Sequence, residues 1–403
     1  MRSLWRAALA VAAIAGALPA CGGKEEPPEQ TCEERARLVG RAFDEQGEAR
    51  FPEFLVQTFS VFWNMEYDVD GVSIVEGFYP VSLLVPEDVT SIGVTLEVPS
   101  GNAILMEARA DNQVLFALSP SMLPLTKANV VWLGIVSIVL PNNERTSVSG
   151  KCVDIWVAAA DTDYDSPATM HVTSRRGEGA SLNLNFVVDA ALDVEDAALV
   201  AVAERAGDQL RGAFRVGEVT VERVAIGSTL APTSSLADAL GELPADDDGR
   251  LSVVLVDALL ADEQDDQRVR AFVPGIPGTP FSGTEASYLR LSYGDHLSAD
   301  GTLLLVDAMG DTLAHAVGKM FGLFHTTEAR GMDVDPVDDT GRCLVRDYDL
   351  DRDGYVSPQE CAAVDGANLM FWAWVPGVSL ELTPMQLQVL QNHPLVLAEG
   401  ETR

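Results

Sequence analysis

The spacing of hydrophobic residues changes once along this chain, and that change does most to limit the folds open to it. Over residues 51–175, short runs rich in Val, Ile, Leu and Phe alternate with turn residues, which predicts a β-sandwich domain. Over residues 181–403 the order becomes strand, helix, strand, which predicts an α/β (α+β) domain. The polar residues 158–180 between them predict a linker, with room for one more strand at Met170–Thr173.

The amino terminus predicts export. Two arginines in the first six residues precede the apolar run Ala7–Leu18, which is too short to span a membrane and has the form of a secretory signal. The following LPAC sequence resembles a bacterial lipobox, which implies a signal peptide at residues 1–20, cleavage before Cys21 and lipidation of its thiol. An ordinary signal that leaves Cys21 free is the alternative. The lipidated form predicts a cell-envelope lipoprotein held to a membrane, with residues 21–50 as a tether and short helix.

Charge and cysteine content narrow the class of protein further. The chain has 61 acidic and 27 basic residues, a formal charge of −34. A surface this acidic repels nucleic acid and suits an exported or cation-binding protein, so we expect no nucleic-acid partner. Four cysteines besides Cys21 predict two disulfides, for which three connectivities exist. We favour the sequence-local pairs, Cys32 with Cys152 and Cys343 with Cys361.

The sequence HAVGKMFGLFH contains two histidines with a glycine between them. His315, Gly322 and His325 match the outer frame of HExxHxxGxxH, in which a helix carries two metal-binding histidines and the glycine turns the chain toward a third. Ala316 stands where that motif has its glutamate general base. Lys319 stands where it has the middle histidine. The frame is therefore present without two of its essential side chains.

A second element supports the same interpretation. Asn368–Trp372 stands where a metzincin has the Met-turn beneath its metal. From about Ser181 to its end, the chain therefore resembles bacterial secreted zinc metalloproteases of the metzincin type. The resemblance implies a zincin-like fold, with His315 and His325 as a remnant of the zinc site and Met370 as the Met-turn residue.

The two substitutions remove the chemistry of the motif. Ala316 cannot accept a proton, and general-base catalysis contributes roughly 10²–10⁴-fold. A lysine must lose its proton before it binds a metal, and as an ammonium it repels Zn²⁺. We therefore expect no zinc and no intact catalytic residues, with the Lys319 ammonium in the metal's place, donating hydrogen bonds to His315 and His325. The alternative is a two-histidine zinc site completed by a carboxylate of the acidic loop, from Asp333, Asp335, Asp338 or Asp339. Glu328 is another spare carboxylate, but no motif places it at the position of the base.

The segment DLDRDGYVSPQE has its oxygen-bearing residues in the order of an EF-hand-type calcium loop, over residues 349–360. Gly354 at position six allows the sharp turn. An exiting helix should begin at Ser357, where a capping box precedes Pro358, whereas no convincing entering helix precedes the loop. A lone loop between two paired cysteines predicts a structural staple. We expect Ca²⁺ to be bound by Asp349, Asp351, Asp353, the Tyr355 carbonyl, Ser357 and Glu360.

These features predict a lipid-anchored, calcium-binding protein whose protease-like domain is not a working enzyme. Its expected role is binding or scaffolding at the cell surface, with a peptide or protein ligand in the former substrate cleft. Two alternatives stay open. One is a zinc-dependent endopeptidase with a substitute ligand and base, and the other is a calcium-dependent adhesion protein that acts through the β-sandwich.

Overall fold

A computed structural model gives the fold over much of the chain. It describes residues 57–61, 65–69, 72–76, 81–97, 102–111, 113–117, 135–141, 146–160, 168–177, 179–227, 229–230, 249–262, 265–279, 287–301, 303–332, 334–335, 337–373 and 380–398. The predicted signal peptide, the tether, Cys21 and Cys32 lie outside these residues. Within the described ranges, no helix is long and apolar enough to cross a membrane.

The first part of the described chain consists of antiparallel strands in two sheets. One sheet has the order β1 (Gln57–Val61), β10 (Ala168–Arg176), β5 (Val89–Glu97) and β8 (Ile135–Leu140). The other has the order β2 (Met65–Val69), β3 (Val72–Glu76), β9 (Cys152–Ala160), β6 (Asn102–Ala110) and β7 (Gln113–Ala117), with β4 (Val81–Leu84) also paired to β9. Buried side chains from both sheets, among them Ile92, Val94, Leu105 and Ile155, form one cluster. The two sheets therefore share a core.

The stretch predicted to be a linker contains a long strand. β10 extends well beyond the short strand expected at Met170–Thr173, and β11 (Gly179–Asp189) follows after a turn at Gly177, whose φ is +70°. The linker predicted over residues 158–180 is therefore wrong over the described part of that range. Its polar composition hid the strand, because Met170 and Val172 enter the hydrophobic cluster while the alternating His171, Thr173 and Arg175 are buried polar residues.

The rest of the chain is built on a mixed sheet. Its order is β12 (Arg215–Val224), β11, β14 (Leu251–Val256), β18 (Tyr288–Ser292) and β17 (Ala271–Phe272), and β19 (Leu397–Ala398) pairs with the start of β11. β12, β11, β14 and β18 run parallel, while β17 and β19 are antiparallel to their neighbours. Every residue of β14 and β18 is buried, as expected of parallel strands covered on both faces. A small separate sheet contains β13 (Thr229–Leu230), β15 (Ala258–Asp262) and β16 (Asp265–Val269).

Helices cover one face of the mixed sheet. The described ranges contain α1 (Asp196–Leu210), a 3₁₀ turn (Gly294–His296), α2 (Val306–Met320), α3 (Val345–Tyr348) and α4 (Pro384–Gln391). α1 and α2 approach closely at Gly310, where a Cβ atom would lie 2.5 Å from Cγ of Arg205. Beside this contact, Nε of Arg205 and the side-chain amide of Gln209 both donate to Oδ1 of the buried Asp311, at 2.7 and 2.8 Å. These contacts fix α2, the helix that carries His315, against the rest of the domain.

Candidate functional site

Helix α2 and the turn after it bring two histidines together. α2 ends at Met320, and Gly322 then adopts a φ of +108°, with its amide donating to the Lys319 carbonyl at 3.0 Å. The chain folds back from this turn, so that Nε2 of His325 lies 3.2 Å from Nε2 of His315. The two histidines of the motif are therefore neighbours, as the glycine between them suggested.

The outer nitrogen of each imidazole has a partner of its own. Nδ1 of His315 donates to the Leu369 carbonyl at 2.7 Å, and Nδ1 of His325 lies 3.0 Å from a carboxylate oxygen of Glu328. Burial, reinforced by the Lys319 charge, lowers the pKa of His315 to about 3, so this imidazole is neutral at physiological pH. Burial also lowers the pKa of His325, against the opposing effect of Glu328. Glu328, which no motif singled out, is thus the carboxylate of this site.

Two neutral imidazoles provide one N–H group fewer than the acceptors around this pair require. Each neutral imidazole has a single N–H group. The Leu369 carbonyl can only accept, so the proton of His315 is on Nδ1 and its Nε2 presents a lone pair to His325. His325 then has one proton for two acceptors, that lone pair and the Glu328 carboxylate. One further proton, or a metal cation between the two rings, resolves the conflict.

The spacing of the pair fits two ligands of a metal ion. Nitrogen ligands about 2.0–2.1 Å from a tetrahedral ion lie about 3.3 Å apart, close to the 3.2 Å between the two Nε2 atoms. An acceptor on the other ring nitrogen is also the usual support of a metal-binding histidine. However, in the part of the chain that the structure describes, no third His, Cys, Asp or Glu ligand atom joins His315 and His325 within 4.8 Å. The residues present therefore fit a two-histidine site and no more.

Lys319 does not occupy the position predicted for it. Among the described residues, its ammonium makes no hydrogen bond to His315 or His325. The direct 3.2 Å approach of the two Nε2 atoms leaves no room for an ammonium between them. Burial lowers the pKa of Lys319 and the Glu328 carboxylate opposes that shift, so the lysine is a neighbour of the pair and not its bridge. Ala316 is buried, and the two carboxylates of α2, Asp307 and Asp311, both face Arg205 of α1.

The acidic loop does not supply a substitute ligand from its described residues. The Asp335 carboxylate is buried and accepts a hydrogen bond from the Thr340 hydroxyl at 2.6 Å. Asp339 binds the amino end of α4, where it accepts from a hydroxyl at 2.6 Å and a backbone amide at 3.0 Å. Asp338 is exposed, and Asp333 lies outside the described residues.

The predicted Met-turn packs directly against α2. Met370 is fully buried, and a Cβ atom on Gly318 would lie 2.5 Å from its sulfur. The side chain of Asn368 holds the turn, since its oxygen accepts from the Met370 amide at 2.8 Å and its nitrogen donates to Gln386 of α4 at 2.9 Å. The Met370 carbonyl in turn accepts from the Thr326 amide at 3.0 Å. The turn is thus tied to both segments that carry the histidines.

The three aspartates of the predicted calcium loop converge. Carboxylate oxygens of Asp349, Asp351 and Asp353 all lie within 4.8 Å of one another. Gly354 adopts a φ of +88°, and its amide donates to Oδ2 of Asp349 at 3.0 Å. Oδ1 of Asp349 is buried and accepts no hydrogen bond from a described residue. The loop thus gathers three negative charges with one oxygen left without a donor.

The remaining loop residues hold its closing end. Oε2 of Glu360 accepts from the amide and hydroxyl of Ser357 at 2.9 and 2.8 Å, and Oε1 accepts from the Leu350 amide at 2.7 Å. These hydrogen bonds lower the pKa of Glu360, which stays ionised. The Tyr355 side chain is exposed, which leaves only its backbone for the site.

The elements on either side of the loop differ from the prediction. A single helical turn, α3, leads into the loop although no entering helix was expected. The capping contacts at Ser357 form, but residues 358–367 make only turns and no exiting helix. Cys343 and Cys361 form a disulfide with a Cα–Cα distance of 5.7 Å, which brackets the loop. Cys152 is also disulfide-bonded, and its expected partner, Cys32, lies outside the described residues.

Comparison with known proteins gives only distant structural likenesses. No family model matches the sequence, and no curated protein matches it. Metalloproteinase-II from Bacteroides fragilis aligns at 11% identity over 54% of this chain and 54% of its own, with a TM-score of 0.32, so the chain spans about half of that protein. A zinc-dependent peptidase from Methanocorpusculum labreanum aligns at 12% identity over 53% of this chain and 95% of its own, with a TM-score of 0.23. At these scores the likenesses assign neither fold nor activity.

Proposed function

We propose that this protein is an exported, lipid-anchored, calcium-binding protein with a β-sandwich domain and a metzincin-like domain that no longer hydrolyses peptides. The convergence of Asp349, Asp351 and Asp353 carries the proposal, because three carboxylates within 4.8 Å repel one another unless a cation lies among them. Ca²⁺ prefers 6–8 oxygen ligands, and this loop offers carboxylates, a hydroxyl and carbonyls. The site with intact chemistry is thus the calcium loop, and binding or scaffolding at the cell surface is the role that remains.

Calorimetric titration of calcium into the chelator-treated protein tests the calcium site. We expect one site with a dissociation constant of about 10⁻⁴–10⁻³ M, typical of extracellular modules. Glu360→Gln removes the charge at the twelfth position and should weaken binding at least about tenfold. Asp347→Asn removes an equal charge just outside the loop and should leave the affinity within about twofold. Equal affinity in the parent and in Glu360→Gln would contradict the assignment.

Peptidase assays on the parent and on a variant with the motif restored test whether hydrolysis has been lost. Ala316 has no proton acceptor, and the carboxylates of α2, Asp307 and Asp311, face Arg205. We expect no peptidase activity in the parent, with excess calcium and with or without a zinc-selective chelator. The Ala316→Glu/Lys319→His double variant is the comparison that restores the motif. Activity in the parent that the chelator abolishes would overturn the proposal.

One observation favours a second candidate function, a zinc endopeptidase. The two Nε2 atoms lie 3.2 Å apart, Nδ1 of His315 donates to the Leu369 carbonyl, and Nδ1 of His325 lies 3.0 Å from Glu328, an arrangement that suits a shared metal ion. Bound zinc would supply a Lewis acid and lower the pKa of a water molecule. Elemental analysis of the purified protein separates the candidates. One equivalent of zinc that is lost in His325→Ala favours the peptidase, and calcium without zinc favours the binding protein.

Export, anchoring and the membrane as a partner are proposed from the amino-terminal sequence. A peptide or protein ligand in the former substrate cleft is proposed from the metzincin resemblance. Labelling of the expressed full chain with a radioactive fatty acid tests the anchor. Label that disappears in Cys21→Ser supports lipidation, while equal labelling of both proteins contradicts it.

A further inference from the structure

We infer that calcium in the 349–360 loop sets the geometry of the His315–His325 pair, with the backbone of Val356 as the link. The inference rests on the calcium site proposed above and concerns what that site does. Val356 lies inside the loop, between Tyr355 and Ser357, which are two of its expected ligands, and its side chain is fully buried. Its amide and its carbonyl both form hydrogen bonds with residues outside the loop, in the segments that hold the histidines.

The Val356 amide binds the segment that carries His325. It donates to the Ala329 carbonyl at 2.9 Å. Ala329 directly follows Glu328, whose carboxylate lies 3.0 Å from Nδ1 of His325. A shift of the loop backbone at Val356 therefore moves the residue next to the carboxylate that orients His325.

The Val356 carbonyl binds the segment that holds His315. It accepts from the indole nitrogen of Trp372 at 2.7 Å. Trp372 closely follows Leu369, whose carbonyl accepts from Nδ1 of His315 at 2.7 Å. One residue of the loop is thus hydrogen-bonded to each of the two segments that support the imidazoles.

The base of the loop is fixed, so movement of its exposed residues is passed on at Val356. The Cys343–Cys361 disulfide closes the base of the loop, and both sulfurs are buried in one cluster with Val356 and Phe371. The Thr327 hydroxyl anchors the same base, since it accepts from the Cys343 amide at 3.2 Å and donates to a buried carboxylate at 2.8 Å. Without an ion the three aspartates repel one another, and the base cannot open to relieve that repulsion. The strain therefore falls on the exposed residues 350–355, and Val356 is the first buried, hydrogen-bonded residue that they pull on.

The test follows the histidine ring nitrogens by NMR during a calcium titration of the full-length protein. The chain has five histidines, and His315→Gln and His325→Gln variants assign the two signals of interest. We expect both signals to shift with the midpoint that calorimetry gives for calcium. His171 on β10 and His296, which is bound to Ser292 and Thr312, should not shift.

A matched substitution isolates the link. Trp372→Phe keeps an aromatic ring but removes the donor to Val356, so calcium affinity should change by less than about threefold while the shift of the His315 signal falls by about half or more. If calorimetry shows that the parent binds calcium but the NMR signals of His315 and His325 do not shift, the inference is wrong and the calcium site is still supported. If calorimetry detects no calcium binding, the calcium site and the inference are both wrong. An unchanged His315 response in folded Trp372→Phe also counts against Val356 as the link.

Discussion

Gly318 leaves the space in which the Met370 sulfur packs against α2. A methyl group there would lie 2.5 Å from the sulfur atom. Overpacking of this kind costs about 1–3 kcal/mol, against up to about 1 kcal/mol gained in helix propensity. We expect Gly318→Ala to lower the free energy of unfolding by about 1–2 kcal/mol, measured by urea denaturation.

The Met370→Ala background provides the control for this prediction. Truncation of the methionine removes the sulfur that the new methyl group would meet. Gly318→Ala should then show only its helix-propensity gain of up to about 1 kcal/mol, and the coupling between the two sites should exceed the net loss seen in the parent by that amount. An equal cost in both backgrounds would place the obstruction elsewhere.

Asp335 makes the stability of the protein depend on pH. Burial, with the nearby charges of Asp365 and Asp339, raises the pKa of Asp335 from 3.8 to about 7. Between about pH 4 and pH 7 the folded state therefore holds a proton that the unfolded state has lost, so stability falls as pH rises, by up to about 1.4 kcal/mol per pH unit. We expect Asp335→Asn, which cannot titrate, to flatten this part of the curve in calcium-free buffer.

The exposed Asp347 provides the comparison for the pH profile. Asp347→Asn removes an equal charge at the surface, and its curve should run parallel to that of the parent. Measurement is by chemical denaturation at intervals across this pH range. A parent and an Asp335→Asn protein with the same slope would show that the buried carboxyl does not titrate in this way.

The residues of the site differ in how far sequence alone could predict them. The closeness of His315 and His325 followed from the motif frame and from Gly322, which is local information. The partners of the rings did not follow, because the Leu369 carbonyl is a backbone atom brought in by the fold. Glu328 carried one usable signal, its position three residues after His325, which is within reach of the same turn.

At the scale of elements, a buried ion pair joins α1 to α2. Arg205 lies 2.7 Å from Asp311, whose side chain is 2% exposed, and this contact raises the pKa of the arginine. Asp311→Ala leaves a charge without its partner, which costs about 3–5 kcal/mol when fully buried. Because Arg205 keeps 29% of its side-chain exposure, we expect about 2–3 kcal/mol by urea denaturation.

The same helix carries the control for this prediction. Asp307 lies 4.0 Å from Arg205, but its side chain is 90% exposed. Asp307→Ala should therefore cost less than about 1 kcal/mol. Similar losses from both substitutions would mean that burial does not strengthen the inner pair.

Elements with a local cause were predictable, and those with a distant cause were not. α4 begins where Thr383, Pro384 and Gln386 form a capping box, and both hydrogen bonds of that box are present. The same pattern at Ser357 failed to start a helix. There the chain folds back on itself, because Gly366 approaches the Pro358 carbonyl so closely that a Cβ atom could not fit. That approach and the disulfide at Cys361 come from the tertiary fold and outweigh the cap.

At the scale of the whole molecule, the Cys343–Cys361 disulfide should support both stability and calcium binding. Its two cysteines are 18 residues apart in the sequence, and a disulfide that closes a loop of that size stabilises the folded protein by about 3 kcal/mol. We expect the Cys343→Ala/Cys361→Ala protein to lose about this much in urea denaturation and to bind calcium more weakly. The double substitution is preferable to a reductant, because Cys152 is also disulfide-bonded. Unchanged stability and affinity would mean that the loop holds its shape without the bridge.

The strands up to β10 and those from β11 onward lie in different sheets, and the sequence marks this change more clearly than it marks the join. The hydrophobic period changes near residue 180 because different faces of the strands are covered on either side of it. This pattern can be seen in the local sequence alone. The join is different. β10 ends in one sheet and β11 begins in the next almost at once, and the polar, charged residues there resemble a linker although they pair as strands.

The short strand β19 gives the second part of the chain a property useful for engineering. Ala398 pairs with Gly179, so the last described residues of this part lie beside its first ones. Neighbouring ends are the condition under which circular permutation and domain insertion are tolerated. A short glycine-rich connection could join these ends, and new termini could then be opened in a surface loop elsewhere. We therefore expect that the unit from β11 to β19 can be inserted into a loop of another protein.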